Sequence, residues 1–193
     1  MLAQEFPGCR QLIDAIDHAV IQPTTAAITD SLRNSLCRLI RSQQVQLPEC
    51  VFEPAQGRYA RRELYRSEEL GYCVVAMTWG PGQGTPIHDH CGMWCVEGVW
   101  NGALEVVQYE RLADVNGQYR FQPVGSIQAG PGSAGSLIPP HEYHAIRNPS
   151  DDAIAVSLHI YSGRMTQCAT FQPAEGAQCY ERQDRQLGLD PLH

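Results

Sequence analysis

Two histidines on alternate residues, His88 and His90, are the feature of this 193-residue sequence with the plainest chemical meaning. They directly follow a run of glycine and proline, in "GPGQGTPIHDHCGMWC". Residues i and i+2 of a β-strand point to the same face, so this spacing aims two imidazoles into one space and turns Asp89 away from it. Two convergent imidazoles placed after a turn indicate a metal site.

A second histidine pair, His141 and His144, lies further along in "PPHEYHAIRN". We expect His144 to supply a third imidazole from a strand that pairs near the first. Three neutral imidazoles on one side of an ion leave about half of an octahedral coordination sphere open. The sequence assigns no role to His141.

Three polar residues in "AVSLHIYS" share one face of another predicted strand, because Ser157, His159 and Tyr161 stand at i, i+2 and i+4. Hydrogen bonds in series would make them a relay that ends in a phenol. The phenol could then donate a hydrogen bond near the metal, with His159 fixing its orientation.

An arginine with a tyrosine on the same face, Arg61 and Tyr59 in "RYARR", is a candidate for binding an acid. A guanidinium can grip a carboxylate with two parallel hydrogen bonds, a geometry that lysine cannot offer. Arg58 and Arg62 have the opposite parity, so we expect them on the other face of the sheet.

The elements that must hold these residues are two helices followed by many short strands. Apolar residues three and four apart predict helices over "CRQLIDAIDHAV", ended by Pro23, and "TTAAITDSLRNSLCRLIRSQQ", with Thr24 or Thr25 as N-cap. From about residue 57, β-branched and aromatic runs alternate with turn residues, which predicts a sandwich or barrel. We expect one domain, with a helical segment over about 8–47, a barrel over about 57–165 and a covering segment over about 166–193.

Composition narrows the possible partners and the compartment. The net charge is −7 and no lysine or arginine runs occur, which argues against nucleic acid and anionic membranes as partners. No apolar stretch approaches the roughly 20 residues that span a bilayer, and the start lacks a signal-peptide pattern. The eight cysteines are scattered without a CxxC pair, which favours reduced thiols and a cytoplasmic location.

The histidine spacing resembles the two halves of the cupin motif, over roughly residues 70–165. The matching positions are Gly82, His88 and His90 in the first half and Pro139, His144 and Asn148 in the second. The resemblance implies a mainly β fold, a cupin β-barrel (double-stranded β-helix or jelly roll), with N-terminal α-helices. In most cupins a glutamate five residues after the second histidine completes the metal site. That position is Cys95 here, and we expect Glu97, two residues later, to face solvent.

The combination of "RYARR", "WGPGQGTPIHDH", "HAIRN" and "AVSLHIYS" resembles cysteine dioxygenase, a thiol dioxygenase family of the cupin superfamily, from about Tyr59 to Cys168. The family's site residues carry over position by position. The resemblance implies one Fe(II) per chain held by His88, His90 and His144, a substrate carboxylate bound by Arg61 with help from Tyr59, and a relay of Ser157, His159 and Tyr161 beside the iron-bound substrate and O2.

The implied reaction converts L-cysteine and O2 to cysteine sulfinate. A three-histidine site has no anionic protein ligand, so the iron keeps its full charge and attracts a thiolate. Relatives that act on 3-mercaptopropionate tend to carry glutamine where this chain has Arg61, which favours L-cysteine and a bacterial type with an arginine clamp. A dioxygenase for 3-mercaptopropionate or another small thiol is the alternative, and a non-enzymatic metal- or ligand-binding cupin is a more distant one.

A covalent modification is left open by the same resemblance. Animal cysteine dioxygenases form a thioether between a cysteine and the relay tyrosine, and a simple count aligns Cys95 with that cysteine. Bacterial relatives usually lack the link. A thioether between Cys95 and Tyr161 is therefore one of two possibilities.

Overall fold

The computed structural model describes residues 4–115, 118–175 and 179–192 of the chain. Two α-helices precede the strands: α1 (Cys9–Val20) and α2 (Thr25–Ser42), followed by a short 3-10 helix (Glu49–Phe52). The strands are β1 (Ala60–Ser67), β2 (Tyr72–Trp79), β3 (Ile87–His88), β4 (Cys95–Asn101), β5 (Leu104–Val115), β6 (Gln118–Ala129), β7 (Ala134–Leu137), β8 (His144–Arg147), β9 (Ala155–Tyr161), β10 (Gln167–Pro173) and β11 (Cys179–Gln186).

Both helices begin and end close to where their sequence patterns place them. Thr24 is the N-cap of α2, and its side-chain oxygen accepts a hydrogen bond from the backbone N–H of Ala27 at 3.2 Å. The apolar faces of the two helices pack together against the outer face of a sheet. Gly98 lets α2 approach closely, because a Cβ there would lie 3.1 Å from Ile40 and 3.3 Å from Leu36.

Two antiparallel sheets form the body of the molecule. A five-stranded sheet, which we call the helix-covered sheet, has the order β1-β2-β9-β4-β7. The other six strands close on themselves in the order β10-β11-β6-β5-β8-β3, and we call them the strand ring. Each residue of β2 and β9 is buried, because the helices cover one face and the barrel interior the other. The predicted cupin β-barrel with N-terminal helices is confirmed.

The C-terminal segment, which the sequence predicts to form surface-covering strands and coil, also helps to close the barrel. The expected covering segment contains β10 and β11, and β10 pairs with both β11 and β3, so these strands help to close the ring. Six of the eight residues of β11, "CYERQDRQ", are exposed, so the sequence predicts a surface strand here without giving its bounds. A strand with little burial lacks the apolar alternation that would reveal it.

Among the described residues, none of the helices has the length and apolar character needed to cross a membrane.

Candidate metal centre and relay

Three imidazoles meet inside the barrel where two short strands of the ring pair. His88 lies on β3 directly opposite His144 on β8, and Thr170 of β10 pairs with His88 on its other side. His90 follows just after β3 ends. One ring nitrogen from each of the three lies within 4.8 Å of the others. Asp89 points outward, where its carboxylate accepts a hydrogen bond from the backbone N–H of Ala169 at 2.8 Å.

The hydrogen bonds of two of these rings fix which nitrogen faces the centre. His144 Nδ1 lies 3.0 Å from the carbonyl of Glu142, and His88 Nδ1 lies 3.2 Å from the carbonyl of Pro86. Each Nδ1 therefore carries the proton, which leaves the Nε2 lone pair free for a metal. Burial lowers the pKa of His144 to about 4 and the pKa of His90 well below its usual value. Three neutral, convergent imidazoles fit a divalent transition-metal ion.

The three relay residues lie next to one another along β9, and a tryptophan donates a hydrogen bond to the first of them. Trp79 Nε1 donates to Ser157 Oγ at 2.9 Å, and Ser157 Oγ lies 2.7 Å from His159 Nε2. An indole nitrogen can only donate, so the serine hydroxyl accepts from Trp79 and has its own hydrogen available for His159 Nε2. In the tautomer that accepts this hydrogen at Nε2, the ring proton of His159 is on Nδ1, which lies 3.4 Å from the hydroxyl of Tyr161.

The phenol at the end of the relay lies against the metal site. The ring of Tyr161 packs edge-on against His90, with centroids 5.6 Å apart. Cys95 lies directly opposite Tyr161 in the register of β4 and β9. Burial raises the pKa values of both the Cys95 thiol and the Tyr161 phenol well above their usual ranges. The thioether stays a prediction; an intact mass lower by a pair of hydrogen atoms would reveal it.

Arg61 is a buried residue of β1, and its charge acts on the relay residue Tyr161. Its two terminal nitrogens donate to the carbonyls of Gly188 and Met165, at 3.0 and 3.1 Å. Its Nε is buried and has no hydrogen-bond partner among the residues that the structure describes. The guanidinium opposes the effect of burial on Tyr161 by lowering the pKa of that phenol. Arg61 therefore has one buried N–H group available for a ligand, and its positive charge acts on the phenol of Tyr161.

Tyr59, predicted to assist Arg61, stacks on Trp79 with ring centroids 4.6 Å apart. The competing arginines lie elsewhere, as their parity indicates. Arg62 donates to Thr78 Oγ1 and to the carbonyl of Glu53, and Arg58 makes two hydrogen bonds with the carboxylate of Asp190.

The expectation that Glu97 faces solvent is wrong. Glu97 is 9 % exposed and points into the barrel, with Oε2 3.4 Å from His159 Nδ1 and 3.8 Å from His144 Nε2. Within the described part of the chain that oxygen has no hydrogen-bond partner, and burial raises the pKa of the carboxyl group to about 7. Cys95, Glu97 and His159 form a cluster of possible metal-ligating atoms separate from the three histidines.

Two residues of the site escaped the sequence reasoning although each carried a signal. Glu97 shares strand parity with Cys95, so alternation alone places both on the inner face. Trp79 ends β2 and has the parity of Met77 and Val75, which are core residues of the barrel interior. The anchoring carbonyls of Gly188 and Met165 had no signal, because backbone groups carry no residue identity.

The fold and the histidine cluster define a cupin-type barrel with a candidate internal metal site. The model of the family described as "Cysteine dioxygenase type I" matches residues 55–174, and the chain belongs to that family. The chain is also 28% identical over 121 residues to "Cysteine dioxygenase type 1" of Danio rerio. That match covers 63% of this chain and 59% of the relative, so it spans little more than half the relative's length.

Solved structures with a similar fold include the protein TT1209 from Thermus thermophilus, at 21% identity and a TM-score of 0.45, covering 58% of this chain and 90% of that one. The cupin domain of Schizosaccharomyces pombe Cnp3 is similar at 11% identity and a TM-score of 0.43, covering 58% of this chain and 64% of that one.

Proposed function

We propose that this chain is a thiol dioxygenase that converts L-cysteine and O2 to cysteine sulfinate at a single Fe(II) held by His88, His90 and His144. The sulfur of the thiol takes both oxygen atoms, so sulfur is oxidised by four electrons and O2 is reduced by four. The observation that carries the proposal is the meeting of three neutral imidazoles with a buried relay that ends in a phenol.

The bound iron would supply the coordination positions at which a thiolate and O2 meet. Around it, the chain's own residues bind the substrate carboxylate, exclude water and orient a phenol. Arg61 binds the substrate carboxylate through its unpartnered Nε and its remaining terminal hydrogens. Buried apolar side chains of the barrel interior exclude water from the reacting groups.

The relay's task is to present the hydroxyl hydrogen of Tyr161 to the substrate side. Trp79 donates to Ser157, and when Ser157 in turn donates to Nε2 of His159, the Nδ1–H of that ring faces the phenol oxygen. A phenol that accepts from Nδ1–H keeps its own hydrogen free for the reacting molecule. Because burial raises the pKa of Tyr161, the phenol stays protonated and can donate.

The deciding experiment adds L-cysteine to protein loaded anaerobically with Fe(II) and then admits O2. We expect cysteine sulfinate, identified by mass spectrometry, with one O2 consumed for each cysteine. Absence of sulfinate from protein with a full complement of iron overturns the proposal.

A pair of arginine variants tests the clamp in the same assay. Arg61→Gln should raise KM for cysteine by about tenfold or more with iron content unchanged, since a charge-assisted hydrogen bond contributes about 1.5–3 kcal/mol. Arg58→Gln, whose parent side chain is 59 % exposed, is the matched control and should leave KM unchanged. Unchanged kinetics in Arg61→Gln would remove Arg61 from the clamp.

A further inference from the structure

A cavity of about 190 Å³ lies between the helix-covered sheet and the strand ring. Its walls come mainly from β4, β5, β6 and β7, with one residue each from β8 and β9. None of the described residues that line it is a metal-site histidine, Arg61 or Tyr161. The cavity is therefore an internal space distinct from the one that the three histidines border.

The walls of this cavity are mainly apolar and carry no positive charge. Most of the side chains that face it are aliphatic, among them Val99, Leu104, Val106, Leu137 and Ile146. No lysine, arginine or histidine is found among its described lining residues, and the one ionisable group is the carboxylate of Glu97. A thiol acid would lose its hydration here without gaining a cation in exchange, so the cavity does not suit the proposed substrate. An uncharged apolar molecule fits these walls, because it buries its surface against them.

Two glycines keep the cavity open at positions where side chains would otherwise fill it. Gly135 stands on β7 two residues before Leu137, and Gly125 stands on β6 two residues before Ile127, so each has the parity of a cavity-lining residue. A Cβ at either position would meet nothing within 4 Å, and neither residue has a positive φ. Gly98 of β4 differs, since its Cβ would lie 3.1 Å from a side chain of α2. Glycine weakens a strand interior, so two glycines without such a packing reason indicate that the space beside them is used.

The cavity is open to solvent at its rim. Ile127 lines it and is nevertheless 60% exposed, although its parity is that of the cavity wall. β7 is the edge strand of the helix-covered sheet, so no further described strand of that sheet covers this side. An apolar protein cavity of about 150 Å³ can hold benzene, so the volume here is sufficient for a molecule of that size.

We propose that this cavity is a binding site for a small uncharged apolar molecule, of the size of a single aromatic ring, separate from the metal centre. The proposal goes beyond the dioxygenase activity and does not depend on it, because it rests on the shape and chemistry of the walls. Gly125 and Gly135 leave the volume, the aliphatic side chains supply the contacts, and the exposed rim at Ile127 supplies the entrance.

Isothermal titration calorimetry of the full-length protein with toluene tests the proposal. Benzoate is the charged counterpart, because it carries a carboxylate where toluene has its methyl group. Gly135→Leu places a side chain in the cavity. Gly130→Leu is the matched control, because Gly130 has the same free space at its Cβ position and no positive φ but does not line the cavity. Urea unfolding of each variant shows whether it is folded.

We expect one toluene molecule to bind each wild-type chain, and Gly130→Leu to leave the dissociation constant unchanged. Gly135→Leu should weaken toluene binding by at least about tenfold, because the leucine side chain occupies the space of the ligand. Benzoate should bind the wild-type protein at least about tenfold more weakly than toluene, since the walls offer its charge no cation.

Absence of toluene binding up to its solubility limit in water overturns the proposal. Equal affinity for toluene in Gly135→Leu and the wild-type protein would also overturn it, since the ligand would then bind elsewhere. Benzoate bound as tightly as toluene would contradict the assigned ligand chemistry. Should Gly135→Leu fail to fold, Gly125→Leu fills the same cavity from β6 and should give the same loss of affinity.

Discussion

The helix-covered sheet and the strand ring contribute to the candidate site in different ways. The sheet provides the relay, Arg61 and Glu97 from strands of seven or eight residues, in which the alternation of side chains assigns each residue to a face. The ring provides the histidines from β3 and β8, which have two and four residues, and from the turn after β3. The side chains proposed to bind and orient substrate thus stand on longer strands, whereas the proposed metal ligands stand at or just beyond the ends of short ones.

The two regions hold their side chains in place by different interactions. The sheet is buried on both faces, so its side chains are fixed by packing from two sides. The short strands of the ring are held instead by hydrogen bonds across them. His88 pairs with Thr170 on one side and His144 on the other, and Asp89 ties the turn to Ala169. Four predictions, in order of decreasing effect, test this division.

We expect metal binding to depend on the histidines of the strand ring. His144→Ala should weaken metal affinity by more than about 100-fold and abolish O2 uptake, since outer-shell changes alone typically cost 10–100-fold. Elemental analysis after dialysis and an oxygen electrode measure the two effects. His141→Ala, three residues earlier and exposed, is the control and should bind metal normally. Wild-type metal content in His144→Ala would contradict the assignment.

The helix-covered sheet should carry more of the stability than the outer wall of the ring. Leu158 on β9 is fully buried against the helices, so Leu158→Ala should lower the free energy of unfolding by about 2–5 kcal/mol. Val124 on β6 is 55% exposed, and Val124→Ala should change it by no more than about 0.5 kcal/mol. Urea unfolding measures both. Similar losses in the two variants would remove the contrast.

Relay and metal site should be separable. Ser157→Ala breaks the link between Trp79 and His159, so kcat should fall by about 10–100-fold while iron content stays unchanged. Steady-state kinetics and elemental analysis test this, with the exposed Ser126→Ala on β6 as control. A parallel fall of iron and kcat in Ser157→Ala would show that the two regions do not act separately.

The smallest effect concerns the segment that joins the two regions. After β11, Asp190 accepts hydrogen bonds from Arg58 and from the backbone N–H of Arg61, and the Arg58 bond lowers its pKa from 3.8 to about 2. The ionised form is therefore favoured in the folded state. This contribution to stability is present above about pH 4 and disappears as the pH falls through the folded-state value.

Asp190→Asn should accordingly destabilise the protein at pH 6 by about 1 kcal/mol or less, as expected for a partly exposed ion pair, and by a smaller amount at pH 3. Unfolding in urea at the two pH values measures the difference. The exposed Asp151→Asn serves as control and should be neutral at both. A loss that grows toward acid pH would contradict the sign derived from the pKa.

Much of the fold and the histidine set could be predicted because each depends on local pattern. The apolar spacing of three and four residues that predicts a helix over Cys9–Val20 matches α1, and the second helix differs only at its ends. Strict alternation placed the relay residues on one face of β9. The surface-covering strands and coil that the sequence predicts after residue 164 include β11, whose bounds could not be predicted because an exposed strand lacks apolar alternation.

The burial of Glu97 could not be predicted from the sequence pattern alone. Alternation places it on the same face as Cys95, but only the barrel's closure turns that face into an interior. Its unpartnered oxygen depends on where His159 and His144 come to lie, and these arrive from two other strands. A charged residue on a strand is exposed far more often than buried, so composition pointed the wrong way.

The sequence by itself determined the elements, the faces of the strands and the types of donor atom, because these follow from neighbours within a few residues. The tertiary structure alone decided that Trp79 donates to Ser157 of the relay, that two backbone carbonyls accept from Arg61, and that a carboxylate lies beside the candidate metal site. Those contacts join residues far apart in the chain. They arise only when the sheet and the ring close around a common interior.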